Sequence, residues 1–273
     1  MQSSRLFCHN LVMDGQTMER AGLDAYLHLV RSFVDHHLRG RIRPLLGIPR
    51  SGSEGLLRDV SQDRKIRLHL GCGEVYLSGY VNIDLPPEEH TVMRSVKVDM
   101  CADIARLQFA EGSIAEIRLH HVFEHFDRPT ALRLLMQWYS WLEDGGGLII
   151  EVPDFQQSAR QILSKGLSTQ QKMVILRHIF GSHEAEWAFH RDGWYRDKFD
   201  LVLHALGFSD LQFRFSGYRY TSNITVCARK SRPFRTPSQL QDAIYTLLQH
   251  SLVDDSEMEQ RLLKLWIHKL GLP

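Results

Sequence analysis

The residues best suited to chemistry begin with Arg67-Leu68-His69-Leu70-Gly71-Cys72-Gly73, an apolar run that ends in Gly-x-Gly. A second short run, Gly79-Tyr80-Val81-Asn82-Ile83-Asp84, ends in an acid. Such a pair can hold a nucleotide-type ligand at the carboxyl edge of a parallel sheet. The glycines let the backbone turn tightly and approach the ligand with no Cβ in the way. The carboxylate of Asp84 can accept from both ribose hydroxyls. His120, His121, Glu124 and His125 end a later strand, and Asp154 follows another. Histidine suits proton transfer because its ordinary pKa lies near 6.5.

The details favour S-adenosylmethionine over a dinucleotide. The dinucleotide fingerprint needs a third glycine, where this chain has Tyr76, and an acid roughly 20 residues on. Asp84 comes much sooner and leaves little room for a crossover helix. A pyrophosphate wants the N-terminus of such a helix; adenosylmethionine has no phosphate and does not need it.

The ordered set resembles the class I adenosylmethionine-dependent methyltransferases. It comprises His69-Leu-Gly-Cys-Gly73, Gly79-Tyr-Val-Asn-Ile-Asp84, Ala102-Asp103-Ile104 with Leu107-Gln108-Phe109, and Gly112-Ser113. It continues through His121-Val-Phe-Glu-His125, Leu142-Glu-Asp-Gly-Gly-Gly-Leu-Ile-Ile150 and Glu151-Val-Pro-Asp154. The resemblance is nearest to the type-11-like branch found among bacterial genes for polysaccharide or glycoconjugate synthesis, and it spans about residues 65–230. Two positions depart from the family pattern. Val75 stands where a third Gly-x-Gly-x-Gly glycine is usual, and Leu107-Gln-Phe109 stands for Leu-Pro-Phe.

The resemblance implies a Rossmann-like α/β fold, a mostly parallel sheet with a closing antiparallel strand, covered by helices on both faces. It implies that Leu70, Gly71, Cys72 and Gly73 line the methionine and ribose portion of the cofactor and that Asp84 holds the ribose. Asp103, with Ile104 beside it, would take the adenine amino group. Asp103 could instead cap a helix, and Asp99 competes for the adenine if the strand ends sooner. His121 would face the sulfonium and the incoming acceptor. Methyl transfer mostly needs alignment, and a hydroxyl acceptor also gains from a base. The candidates are His121, His125, His190 and Asp154.

Residues 180–197 are dense in aromatic and polar side chains. Trp187, Arg191, Trp194 and Tyr195, together with Glu124, are expected on the substrate side, since aromatic faces stack on sugars and rings. The same aromatics could instead fill the edge of the core. The spacing His121-x-x-x-His125 would suit a metal on a helix. No third ligand stands at a persuasive spacing, His183 and His190 being distant in sequence, so no metal is expected.

Three regions position these groups. Residues 1–64 form an N-terminal cap or extension, with helical periodicity over Thr17–Leu38 ended by Gly40 and Pro44, and a loop over Gly47–Ser53. In the core, 65–230, strands are expected at Ile66–Leu70, Tyr80–Asp84, Ser95–Asp99, Ile114–His120 and Leu148–Val152. Helices are expected at Pro129–Leu142, stopped by Gly145–Gly147, and at Lys198–Leu206. Leu211–Phe215 and Ile224–Ala228 would be a closing antiparallel pair. The tail, 231–273, reads as two helices, Ser238–His250 and Ser256–Leu270, whose apolar sides must pack on the core, on a second copy or as a lid.

The 273 residues can bury one large core with terminal additions. A net charge of +1 offers no strong field for nucleic acid or anionic membrane. The four cysteines have no paired spacing, which suggests reduced thiols and a cytoplasmic protein. No apolar run approaches a membrane span, and no signal peptide is expected. The most concrete expectation is O-methylation of a saccharide, glycoconjugate or other small hydroxyl compound, with homodimerisation through the terminal helices an option. The alternatives are a methyltransferase-like module that binds cofactor without turnover, and an NAD(P)-dependent oxidoreductase.

Overall fold

The structure, a computed structural model, describes residues 65–93 and 96–271. The expectations for 1–64, including the helix at Thr17–Leu38, lie outside the described residues. Seven strands form one sheet: β1 (Ile66–Leu70), β2 (Val81–Asp84), β3 (Met100–Cys101), β4 (Ile114–His120), β5 (Leu142–Pro153), β6 (Phe208–Tyr218) and β7 (Thr221–Lys230). Their order is β3-β2-β1-β4-β5-β7-β6, and only β7 runs against its neighbours. The apolar runs of the sequence become the inner strands because these are buried on both faces. Leu68, Leu70, Ile83, Ile117, Leu119, Leu148 and Ile150 are all closed to solvent.

The helices are α1 (Arg128–Trp141), α2 (Phe155–Leu163), α3 (Thr169–Phe180), α4 (Arg196–Ala205), α5 (Pro237–Gln249) and α6 (Glu257–Leu270). Asp127 caps α1 by accepting from the Thr130 N–H, and Pro129 opens its first turn. Helices α1, α4, α5 and α6 pack together against the sheet. Leu134, Trp138, Phe199, Ile244, Leu248, Leu263 and Leu270 share one core with Ile150 and Val226. The tail helices thus bury their apolar sides in the main core, each such side chain contributing about 1.5–3 kcal/mol. Among the described residues no helix is long and apolar enough to cross a membrane, and Cys72, Cys101 and Cys227 are not joined in a disulfide.

Several boundaries differ from the sequence expectation. The strand expected at Ser95–Asp99 is instead the two-residue β3, Met100–Cys101, paired with Ile83 and Asp84. Asp99 is occupied otherwise: its carboxylate accepts from the backbone and side-chain amides of Asn82 and from the Tyr76 hydroxyl. The Gly145–Gly147 triplet does not stop α1. The chain turns extended at Leu142, and the glycines fall in a bulge of β5, where Ile114 pairs with Leu142 but Glu116 with Gly147. Helices α2 and α3 were not anticipated. Asp154 caps the first, Ser168 and Gln171 form a capping box on the second, and the two pack on each other and on β7.

Between β1 and β2 there is no helix among the described residues. Buried Asn82 organises the connection instead. Its side-chain amide donates to the Leu77 and Tyr80 carbonyls, and its oxygen accepts from the Leu77 N–H and faces His69 Nδ1 at 3.0 Å.

Candidate functional site

The strand order reverses between β1 and β4, and the crevice outside their carboxyl ends is where open α/β sheets hold ligands. Leu70, fully buried, anchors the end of β1. Gly71 and Gly73 then turn with φ of +67° and +51°, in the left-handed region that favours glycine. The N–H groups of Gly71 and Cys72 both donate to the Ile83 carbonyl, folding the turn onto β2. A Cβ on Gly71 would lie 2.2 Å from Val122 Cγ2, so the β1 turn and the end of β4 touch with nothing to spare. The buried Cys72 thiol is pushed up to about 12, by burial first and then by the Asp84 charge. A buried thiol held protonated in this way packs within the turn.

Asp84 ends β2 almost buried. Its Oδ2 accepts from the Gly73 N–H at 2.6 Å and its Oδ1 from the Leu85 N–H at 2.7 Å. An ionised carboxylate has about four acceptor sites, so two remain for a ligand. His90 Nε2 sits 3.4 Å from Oδ1, and the His90 ring meets the Trp187 ring edge to face at 5.7 Å. Trp187 in turn donates from its indole to the Glu89 carbonyl.

His121 follows β4 with φ of 53°, unusual for a residue with a Cβ and a sign of a constrained site. Its Nδ1 lies 3.3 Å from Glu124 Oε1 and its Nε2 3.7 Å from Glu151 Oε1. Burial lowers its pKa, but Glu124 and then Glu151 outweigh this and raise it above the ordinary value. Burial likewise pushes the Glu124 carboxyl up, yet His121, His125 and His190 hold it below the usual range. Glu151 is held at about 2, first by the His120 hydrogen bond, against burial, with Thr225 also donating to it.

The tract after α3 folds back over these groups. Gly181, with φ of 92°, bridges to Phe189, and a Cβ there would lie 2.1 Å from the Ala188 carbonyl. The Glu124 carbonyl accepts from the Arg191 N–H at 2.8 Å, which clamps the tract to the turn after β4. His190 Nδ1 lies 3.1 Å from the Ile179 carbonyl, and its Nε2 3.9 Å from Glu124 Oε1. Burial lowers the His190 pKa to about 4. The rings of His190 and His125 meet at 4.7 Å.

The structure therefore brings together Gly71, Cys72, Gly73, Asp84, His121, Glu124, His125, Trp187 and His190. The side chains of the other expected site residues take no part in the contacts just described. Trp194 packs mainly into the core: it is 2% exposed, between Phe123 and Phe199, with Lys198 over its ring at 4.1 Å, and it borders the same cavity as Tyr195. Arg191 pairs at the surface with Glu186. Tyr195 lines a 510 Å³ cavity with Leu132, Val202 and Leu247; Phe155, Asp192 and Gly193 border both this cavity and a small one beside Glu124 and His190. Asp154 caps α2 with its Oδ1 on the Gln157 N–H. Asp103 caps a single turn, accepting from the Ala105 N–H, and pairs with Arg106, with Ile104 buried beside it.

Sequence reasoning missed His90, Glu151 and His178. Glu151 lay inside a quoted motif beside Asp154. His178, on α3, meets the His121 ring at 5.7 Å and Asn223 at 2.9 Å, and nothing in its spacing signals this.

No family model matches the chain, and no curated protein does. Solved structures share fold features at low identity. One is an S-adenosylmethionine-dependent methyltransferase from Archaeoglobus fulgidus, 14% identical over 61% of this chain and 86% of that one, TM-score 0.42. Another is human N-acetylserotonin methyltransferase in complex with S-adenosylmethionine, 16% identical over 61% and 48%, TM-score 0.40. A third is Burkholderia thailandensis 1,6-didemethyltoxoflavin-N1-methyltransferase, 13% identical over 61% and 71%, TM-score 0.41. At these values the likeness carries no argument about function, and the fold rests on this chain's own strand pairing.

Proposed function

We propose that this chain is an S-adenosylmethionine-dependent methyltransferase acting on an oxygen of a small molecule, with a saccharide hydroxyl as the first candidate acceptor. The observation that carries the reading is the left-handed glycine turn at the switch point facing a carboxylate at the end of β2, with no helix between them among the described residues. A dinucleotide would want a helix N-terminus there for its pyrophosphate. The residues fit the cofactor: Gly71 and Gly73 make a left-handed turn packed closely on Val122 and Met93, and Asp84 retains acceptor capacity for two hydroxyls.

In this reading Leu70, Gly71, Cys72 and Gly73 line the methionine and ribose side, Asp84 holds the ribose, and Asp103 with Ile104 borders the adenine. Bound there, the cofactor supplies a methyl group already activated by positive sulfur. The chain's own contribution is alignment and proton handling. His121 is the group to deprotonate the acceptor. Glu124 orients its Nδ1, leaving Nε2, 3.7 Å from Glu151, to take the hydroxyl proton. Trp187 and His90 close the Asp84 side against water. The saccharide acceptor is suggested by the sequence resemblance alone.

Calorimetry with S-adenosylmethionine, S-adenosylhomocysteine and NAD tests the cofactor, and a screen of hydroxyl acceptors with methyl-labelled cofactor tests the transfer. Binding of the first two ligands with labelled methyl recovered on an oxygen is the expected result. Tight cofactor binding with no acceptor methylated would favour the non-catalytic module.

A further inference from the structure

We propose that Glu124, His125 and His190 form a binding site for a divalent transition-metal ion of the zinc class, with coordination positions left open for water or another oxygen ligand. One ligand atom from each of the three side chains lies within 4.8 Å of the others. Two imidazoles and one carboxylate are a donor set that zinc takes in open sites, leaving room for a water or a substrate oxygen. Zinc bonds of about 2.0–2.2 Å put neighbouring ligand atoms about 3.4 Å apart, so a bound ion would draw these side chains in by about an ångström.

Three further observations point to a ligand here. First, Glu124 is 2% exposed, and its Oε2 is buried with no hydrogen-bond partner among the described residues. An unmatched buried carboxylate oxygen costs about 1–3 kcal/mol or more unless something fills the place. Second, both imidazoles are held at Nδ1 by backbone carbonyls, His125 by Phe189 at 3.2 Å and His190 by Ile179 at 3.1 Å. A carbonyl only accepts, so Nδ1 carries the hydrogen and Nε2 presents its lone pair. Metal-ligating histidines are oriented by this same device. Third, a cavity of about 10 Å³ opens beside Glu124 and His190, two of the three ligands, and is bounded by Pro153, Phe155, Ile179, Asp192 and Gly193. That is room for one water or one ion.

The chain holds the three ligands in place from outside the cluster. The Arg191 N–H bond to the Glu124 carbonyl fixes the His190 tract against the turn bearing Glu124 and His125. Glu124 Oε1 lies 3.3 Å from His121 Nδ1 and 3.9 Å from His190 Nε2, so the carboxylate links the cluster to the proposed base. The linear spacing His121-x-x-x-His125 is not the ligand pair. His121 turns toward Glu124 and Glu151 instead.

The inference does not rest on the cofactor reading, because the metal alone is the probe. The experiment titrates the untagged, metal-stripped full chain with Zn²⁺ by calorimetry and with Co²⁺ by visible absorption. Glu124→Gln, His125→Ala and His190→Ala are compared with His204→Ala, a surface histidine paired with Asp200. Melting without metal establishes that each variant is folded, and Glu124→Gln keeps the side-chain shape should an alanine variant fail to fold. The expected result is a wild-type site whose affinity falls about 100-fold or more in the ligand variants, with loss of the Co²⁺ bands, and is unchanged in His204→Ala. No stoichiometric binding by folded wild type, or ligand variants that bind as wild type does, would overturn the site and leave the cavity to water.

Discussion

The backbone N–H of Gly73 donates to Oδ2 of Asp84 across 2.6 Å, tying the glycine turn of β1 to the end of β2. One carboxylate thereby builds the cradle and, in the proposed function, binds within it. Both oxygens of Asp84 already accept one N–H each, so a bound ribose would complete a hydrogen-bond set that is half made. A turn held this way needs no rearrangement to receive a ligand, which limits the ordering cost of binding.

The contact between Gly71 and Val122 makes the cradle sensitive to a single methyl group. Gly71→Ala combines a left-handed φ with a Cβ driven against Val122, and is expected to cost about 2–4 kcal/mol of stability. In a Val122→Ala background the packing share, about 1–3 kcal/mol, should vanish while the backbone share remains. Urea unfolding of the four-member cycle measures this. Additive effects would mean that the two residues do not meet.

Trp194 distinguishes a core residue from a substrate contact. Trp194→Ala should destabilise the fold by about 3–5 kcal/mol, because the indole is packed between Phe123 and Phe199. A variant with wild-type melting but a raised KM for acceptor would restore the substrate assignment.

His69, buried beside Asn82, is lowered to about 4 by burial, against a raising hydrogen bond from its Nδ1 to the Asn82 side-chain oxygen. The unfolded chain takes up this proton near pH 6.5, so between pH 6.5 and 4 it binds more protons than the folded one and stability falls as the pH falls. The loss by pH 4.5 should be about 2–3 kcal/mol from this group. His69→Gln should flatten that part of the profile in urea unfolding at a series of pH values. An unchanged slope would remove His69 as its source.

These cases also mark what the sequence can carry. The strands around the site were legible because each is a short apolar run closed by glycine or an acid, and those same closing residues make the turn at Gly71–Gly73 and the end of β2. The capping of α2 and α3 was not read, because Gln156, Gln157, Gln161, Gln170 and Gln171 thin the apolar pattern of those helices. Residue type flagged the tract from Phe180 to Asp197 but could not sort it. Trp187 and Trp194 look alike in sequence, and only packing sends one to the Asp84 side and the other into the core. His190 gains its meaning from Glu124, a partner far away in the chain, through a fold-back that Gly181 permits. Asp103 had two readings, and the cap that it makes was one of them.

The proposed base gives a kinetic prediction. His121→Asn keeps a residue that tolerates positive φ and removes the imidazole. Turnover should fall about 10²–10⁴-fold with little change in cofactor affinity. Near-normal turnover would hand proton removal to another group or to alignment alone.

The central claim is that the crevice between β1 and β4 binds S-adenosylmethionine, and calorimetry on the wild type and Asp84→Ala tests it most directly. The account predicts saturable binding of S-adenosylmethionine and S-adenosylhomocysteine, no binding of NAD, and a loss of about 2–3 kcal/mol in the variant as charge-assisted hydrogen bonds to the ribose disappear. Tight binding of NAD by the folded protein, or S-adenosylmethionine affinity unchanged in Asp84→Ala, would contradict it.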